Sequence, residues 1–235
     1  MPYFYFDIYY LILVLPAILF ALIAQGMVQS AYRKYSQAAT RRGTTGAAAA
    51  EAILRRNGIY DIRVEQVAGQ LSDHYDPKAR VIRLSQGVYG VSSVAAVGIA
   101  AHEAGHAAQY AVGYAPIRLR QAIIPVSRVG SWLAFPLILA GLFLSSGVLL
   151  DAGILLFGLA FVFQLVTLPV EFNASRRALQ TLEEARMLED GELVGARKVL
   201  SAAAMTYVAA LAVSLAQLLR LLLIFGGGRG RNNRW

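Results

Sequence analysis

The chain has 235 residues, 57% of them hydrophobic and 15% charged, with a formal net charge of +8 and no cysteine. That length accommodates one ordinary domain, or a smaller one with membrane spans, and the apolar excess favours the second. The lack of cysteine excludes disulfides and thiolate metal ligands; the basic balance comes without a nucleic-acid motif or an aromatic-interleaved basic patch, so it points to a bilayer surface and away from DNA or RNA.

Four stretches approach the roughly 20 apolar residues that a spanning helix needs: residues 8–28, 132–150, 152–170 and 202–225. No basic residue precedes the first, and Arg33 and Lys34 follow it. A cleaved secretory signal begins with a positive segment. The pattern therefore predicts an uncleaved anchor with its N-terminus outside and the following residues in the cytoplasm, where Arg41, Arg42, Arg55 and Arg56 continue the basic run.

A polar, Ala-rich connection covers residues 35–43. Thr44 or Thr45 then caps a helix reaching about Arg56, which Asn57-Gly58 stops. Residues 62–67 alternate with period two, as a half-buried strand does. Residues 71–75 and 80–84 flank Asp76-Pro77-Lys78-Ala79, and proline at the second position of a turn presets φ, so a hairpin is expected. The edge of such a sheet could hold an extended peptide by main-chain hydrogen bonds.

Ser92 or Ser93 caps the next helix, which runs to about Val112 and ends at Gly113. It carries His102-Glu103-Ala104-Gly105-His106, two of the three histidines in the chain. Positions i and i+4 share a helix face, so both imidazoles can aim at one point. Zn²⁺ takes such nitrogens in tetrahedral geometry and can keep a position open for water. Glu103 stands where a carboxylate can take that water's proton. Two imidazoles and a glutamate in an Ala- and Gly-rich apolar helix would be costly to bury without a partner, and a metal supplies one. The pattern reads as a metal-dependent hydrolase.

A basic connection with Arg118, Arg120 and Arg128 leads to the second apolar stretch. A turn within residues 145–153 joins the second and third stretches into an antiparallel helical hairpin, with Gly141, Gly147 and Gly158 as points of close approach. Arg220 falls inside the fourth stretch, where a charge is expensive unless it snorkels or pairs. Four complete crossings would leave the Gly-rich tail with Arg229, Arg231 and Arg234 outside, against the positive-inside rule.

Two imidazoles do not complete a zinc site, and the third ligand should be a carboxylate or His74. Glu171, at the end of the third apolar stretch, is one candidate; Ser175, one helical turn on, could orient a ligand by a hydrogen bond. Asp73, His74 and Asp76 are its rivals, although Asp76 is also explained as a turn residue before proline. His74 and Tyr75 are otherwise attractive as donors to the oxyanion formed at the scissile carbonyl.

At these residues the chain resembles the YugP-like neutral zinc metallopeptidases, bacterial membrane proteases, and is more distantly similar to the CAAX prenyl proteases and HtpX-type quality-control proteases. The resemblance covers most of the chain. It is carried by Leu71-Ser72-Asp73-His74-Tyr75-Asp76-Pro77, Ala100-Ala101-His102-Glu103-Ala104-Gly105-His106-Ala107-Ala108-Gln109 and Glu171-Phe172-Asn173-Ala174-Ser175. It implies peptidase activity without naming a substrate, a bacterial inner-membrane location, and Glu171 as third zinc ligand. The distant relatives carry Asp four residues after that Glu, where this chain has Ser175, so a carboxylate–histidine contact from that position does not carry over.

The expected fold is a mainly α integral membrane protein: a zincin-like (gluzincin) catalytic domain with a small β-hairpin or sheet, plus about four transmembrane or membrane-embedded helices. The expected order is an anchor (1–31), a cytoplasmic zincin-like half with the hairpin and the motif helix (32–130), a transmembrane hairpin (131–170), a third-ligand helix and cytoplasmic segment (171–201), and an apolar helix with a basic tail (202–235). The expected activity is zinc-dependent hydrolysis of peptide bonds in membrane-associated or unfolded proteins. His102, His106 and Glu171 hold Zn²⁺, Glu103 is the general base, and His74 and Tyr75 assist; the partners are a protein or peptide substrate and the lipid bilayer, with no nucleic acid. The alternative is a non-catalytic membrane scaffold or lipid-binding protein with structural zinc, which would show four protein ligands and no open position.

Overall fold

The computed structural model describes residues 7–69 and 72–226. Leu71 of the expected hairpin and the tail arginines Arg229, Arg231 and Arg234 lie outside the described residues. Two compact units form: one from Met1–Ala24, Leu119–Leu168 and Thr206–Trp235, the other from Gln25–Arg118 and Pro169–Met205.

Among the described residues, four helices are long and apolar enough to cross a membrane: α1 (Leu15–Ser36, entered through a π-helical segment Tyr10–Val14), α4 (Ala115–Phe143), α5 (Gly147–Glu184) and α6 (Asp190–Gly226). The chain is thus a mainly α integral membrane protein. Helix α1 outruns its apolar stretch and takes in Arg33 and Lys34. The expected basic connection is itself helical, because Arg118, Arg120 and Arg128 fall within α4. Arginine, leucine and glutamine are good helix formers, and Pro125 is tolerated in a helix of this kind.

The turn between α4 and α5 comes earlier than expected, over residues 144–146, where Ser146 N donates to Gly141 O at 2.9 Å. Gly153 therefore sits inside α5, where an added Cβ would lie 2.9 Å from Ala134 O; at Gly141 it would lie 2.7 Å from Leu150 N. These two glycines permit the close helix approach. Gly158, expected to do the same, would meet nothing within 4 Å.

Arg220 resolves its own cost by pairing. It is 7% exposed, donates through Nε and a terminal nitrogen to Asp7 Oδ2 at 2.8 and 2.6 Å, and lies 5.4 Å from the centre of the Tyr10 ring. Asp7 Oδ1 also accepts from Tyr10 N. The start of the first helix and the last turns of α6 are joined there.

In the other unit, α2 (Gly46–Arg56) is capped by Thr45, whose side chain accepts from Ala48 N. Beyond it come β1 (Arg63–Val67), β2 (His74–Asp76) and β3 (Val81–Ser85), followed by α3 (Val94–Ala111). The sheet order is β1-β3-β2, with β1 parallel to β3 and β2 antiparallel. β2 is thus an edge strand. Asp73 and Asp76 build the hairpin: Asp73 accepts from Ser85 N and Oγ at 2.7 and 3.1 Å, and Asp76 accepts from Lys78 N and Ala79 N. Those turn bonds, with the Arg83 guanidinium, hold the Asp76 carboxyl below its usual range.

Ser93 caps α3 by accepting from Ala96 N, and Gly113 ends it at φ +64°, a left-handed conformation natural to glycine. Small residues make the core: Ala49 and Ala50 of α2, Ala100, Ala101, Ala104 and Ala107 of α3, Ala178 of α5 and Ala196 of α6 are buried together with Ile53, Ile82, Leu84 and Leu182. Such side chains let α3 lie backbone-close to its neighbours, and that closeness positions the site.

Candidate metal centre

Helix α3 brings His102 and His106 together, with ring centres 4.7 Å apart and planes at 82°. The third group comes from α5. Glu171 Oε2 lies 3.2 Å from His102 Nε2 and 3.6 Å from His106 Nε2, and the carboxylate is 2% exposed. Donors around a tetrahedral zinc at 2.0–2.1 Å stand about 3.3 Å from one another, so these separations fit a single small ion.

The hydrogen bonds behind the rings fix which nitrogens face the centre. Gln109 Nε2 donates to Val170 O at 2.8 Å and to Asn173 Oδ1 at 3.0 Å. A carbonyl can only accept, so the amide orientation is settled by this contact. Gln109 Oε1 then faces His106 Nδ1 at 3.0 Å, and Nδ1 must be the donor. In the neutral ring the lone pair of His106 is then on Nε2, on the side of Glu171. His102 also turns Nε2 towards Glu171, with Nδ1 3.1 Å from Ser175 Oγ, a hydroxyl that can donate or accept there. Arg177 Nε completes the row by donating to Asn173 Oδ1 at 2.9 Å.

Close contact between backbones makes this convergence possible. A Cβ on Gly105 would lie 2.5 Å from Ala174 O, so only glycine lets α3 approach α5 this nearly. The centre is electrically suited to a cation. Burial opposes charge on His106, but the Glu171 carboxylate beside it and the nearby Glu103 charge outweigh burial and raise its pKa above the ordinary histidine value.

Glu103 is 9% exposed, and its Oε2 accepts from Tyr75 N of the edge strand β2 at 2.9 Å. Tyr75 thus reaches the site by its backbone, while its ring packs edge-on to Tyr110 with centroids 5.5 Å apart. Burial raises the Tyr75 phenol pKa. His74, the next residue on a strand, points to the opposite face. It is exposed, with Nδ1 against Ser72 O at 2.8 Å and Nε2 against Arg83, and is not brought to the centre. Asp73 and Asp76 are likewise committed to the hairpin.

The sequence reading gave no role to Gln109 or Asn173. One signal was present: Gln109 follows His106 by three residues, hence on an adjacent face, in an alanine-rich turn with no other polar side chain that could support it.

The family model described as "Putative neutral zinc metallopeptidase" matches residues 10–226. The protein named "Putative membrane protease YugP", from Bacillus subtilis (strain 168), is 49% identical over 209 residues, covering 89% of this chain and 93% of its own length. No solved structure matches the chain.

Proposed function

The chain belongs to the neutral zinc metallopeptidase family, and we propose that it is a membrane-embedded metalloendopeptidase whose zinc is held by His102, His106 and Glu171. The observation that carries this reading is the convergence of three donor atoms, both imidazoles presenting Nε2, beside a buried glutamate that is not one of the three. Zinc in such a place supplies a Lewis acid that polarises the scissile carbonyl and makes water acidic near neutral pH.

The chain's own groups do the remaining work. Glu103 accepts a proton from the attacking water as the carbon–oxygen bond forms, then delivers it to the leaving nitrogen as the carbon–nitrogen bond breaks. Tyr75 N–H holds one Glu103 oxygen, leaving the other to carry that proton. In this reading Tyr75 is a positioning residue acting through its backbone, and His74 lies outside the machinery. The edge strand β2 lies beside Glu103, where an extended peptide held by main-chain hydrogen bonds would meet the centre, and the four apolar helices favour substrates that are membrane-associated or unfolded near a bilayer.

Arg33, Lys34, Arg41 and Arg42 support a cytoplasmic location for this side of the membrane by the positive-inside rule, and the likeness to a bacterial membrane protease favours the inner membrane. The Asp7–Arg220 pair agrees with complete crossings by the first and last helices.

Glu103→Gln separates the roles. It should retain zinc near one equivalent while hydrolysis of an unfolded protein falls by about 10²-fold or more, whereas His102→Ala and Glu171→Ala should lose both. Wild-type turnover in Glu103→Gln would remove the base assignment, and undiminished zinc in Glu171→Ala would remove the ligand assignment.

A further inference from the structure

Behind Ser175 lies a cleft of about 380 Å³ that the proposed hydrolysis does not use. It is bounded by α5 and the first half of α6, with Arg176, Arg197 and Glu183 as its charged groups and Phe172 and Met205 on its apolar wall. Among the described residues, neither arginine forms an ion pair or a side-chain hydrogen bond. Two guanidinium groups facing one carboxylate leave the cleft with a net positive charge.

Its place along the helices sets its depth. Residues 152–170 of α5 and 199–219 of α6 contain no charged side chain. At 1.5 Å per residue, Arg176 stands about 9 Å beyond the first of these stretches and Arg197 about 3 Å beyond the second. Both levels are within reach of the polar layer of a bilayer, given the length of an arginine side chain. Cationic pockets between helices at that depth attract anionic lipid headgroups.

We propose that this cleft binds the phosphate of an anionic phospholipid headgroup between Arg176 and Arg197, in contact with the metal centre through Ser175. The Ser175 hydroxyl has one proton and two lone pairs. With zinc on Nε2 of His102, Nδ1 carries the ring proton and donates to Ser175 Oγ, so the hydroxyl proton is free to donate into the cleft. A bound phosphate oxygen would accept that proton and add negative charge behind a zinc-holding imidazole, which strengthens the ligand. The first half of the occupant's acyl chain has Phe172 and Met205 to lie against.

The test uses the full-length protein in neutral detergent, titrated with dioctanoyl phosphatidylglycerol, dioctanoyl phosphatidylcholine or inorganic phosphate. Phosphatidylglycerol should bind at least about tenfold more tightly than either of the others. Arg176→Gln and Arg197→Gln should each weaken it about fivefold, the effect of roughly 1 kcal/mol per arginine at an anionic surface. Arg197→Lys should keep most of the affinity, which separates lost charge from lost fold, and Arg63→Gln on the distant sheet should change nothing. Zinc retention against a chelator should be higher in phosphatidylglycerol nanodiscs than in phosphatidylcholine ones, and Ser175→Ala should abolish the difference. Equal affinity for the two lipids, or for free phosphate and phosphatidylglycerol, would overturn the headgroup assignment, as would wild-type binding in the double arginine variant. Equal zinc retention in the two nanodiscs would overturn the contact through Ser175. No arm reads turnover, so the outcome is separate from that of peptide hydrolysis.

Discussion

Gly105→Ala sets two effects of known sign against each other at the contact that assembles the site. Helix propensity alone favours alanine by about 1 kcal/mol. The added Cβ, however, would lie 2.5 Å from Ala174 O and 3.2 and 3.3 Å from the Ala174 C and Cα atoms. A carbon–oxygen contact relaxes at about 3.3 Å, so α3 and α5 must part by about 0.8 Å. The obstacle is backbone and cannot rotate away. Overpacking of this sort costs about 1–3 kcal/mol, enough to cancel the propensity gain or exceed it.

The same displacement acts on the metal centre, since Ser175 and Glu171 ride on α5. The His102–Ser175 contact of 3.1 Å would open to about 3.9 Å, beyond hydrogen-bonding range. Zinc sites tolerate only about 0.2 Å of error in ligand distance. Gly105→Ala should therefore weaken zinc binding by about tenfold or more, read by chelator competition on the purified protein. Gly98→Ala is the internal control: on the same helix, its Cβ would meet nothing nearer than Ala196 Cβ at 3.4 Å, an ordinary contact. It should keep zinc and melt at or above the wild-type temperature. If Gly105→Ala bound zinc like the wild type, the claim that backbone proximity sets the site would be refuted.

Gln109 is fully buried, and Gln109→Ala leaves His106 Nδ1 without its acceptor and Val170 O without its second donor; it should cost about 1–3 kcal/mol of stability and weaken zinc about 10–100-fold, measured by thermal melts and the same competition. Arg220→Leu strands the Asp7 carboxylate and should destabilise the protein by about 3 kcal/mol. Adding Asp7→Leu should recover most of that loss, and a double variant as unstable as the single would count against the pair. His74→Ala and Tyr75→Phe should both stay within about threefold of wild-type turnover, because removing an oxyanion donor costs about 10²-fold or more; a collapse in either would restore a side-chain role.

The parts of this protein governed by local chemistry were legible in the sequence. Thr45 and Ser93 cap helices because their hydroxyls meet free backbone N–H groups, and Asp76-Pro77 makes its turn for equally local reasons. The spacing of His102 and His106 showed that both rings could share a point. What could not be read locally was which distant group completes that point. Glu171, Asp73, His74 and Asp76 are equivalent as donor types, and the choice depends on which helix can lie against α3. That is decided by Gly105 and Ala174, a backbone contact with no periodic trace. The Gln109–Asn173 support was hidden for the same reason, since its partners come from helices far apart in sequence. Arg220 was recognisable as a charge needing a partner, yet the partner lies at the other end of the chain. The turn after Phe143 was misplaced because leucine and valine continue on both sides of it, so hydropathy could not mark the break.

Zinc K-edge X-ray absorption on the metal-loaded protein tests the central claim most directly. Two imidazole nitrogens at about 2.0–2.1 Å, with oxygens at about 2.0–2.2 Å from Glu171 and from solvent, are the expected environment, and Glu171→Ala should lose the metal or replace the carboxylate oxygen. A shell filled by four protein ligands with no exchangeable solvent, or one unchanged by Glu171→Ala, would contradict it.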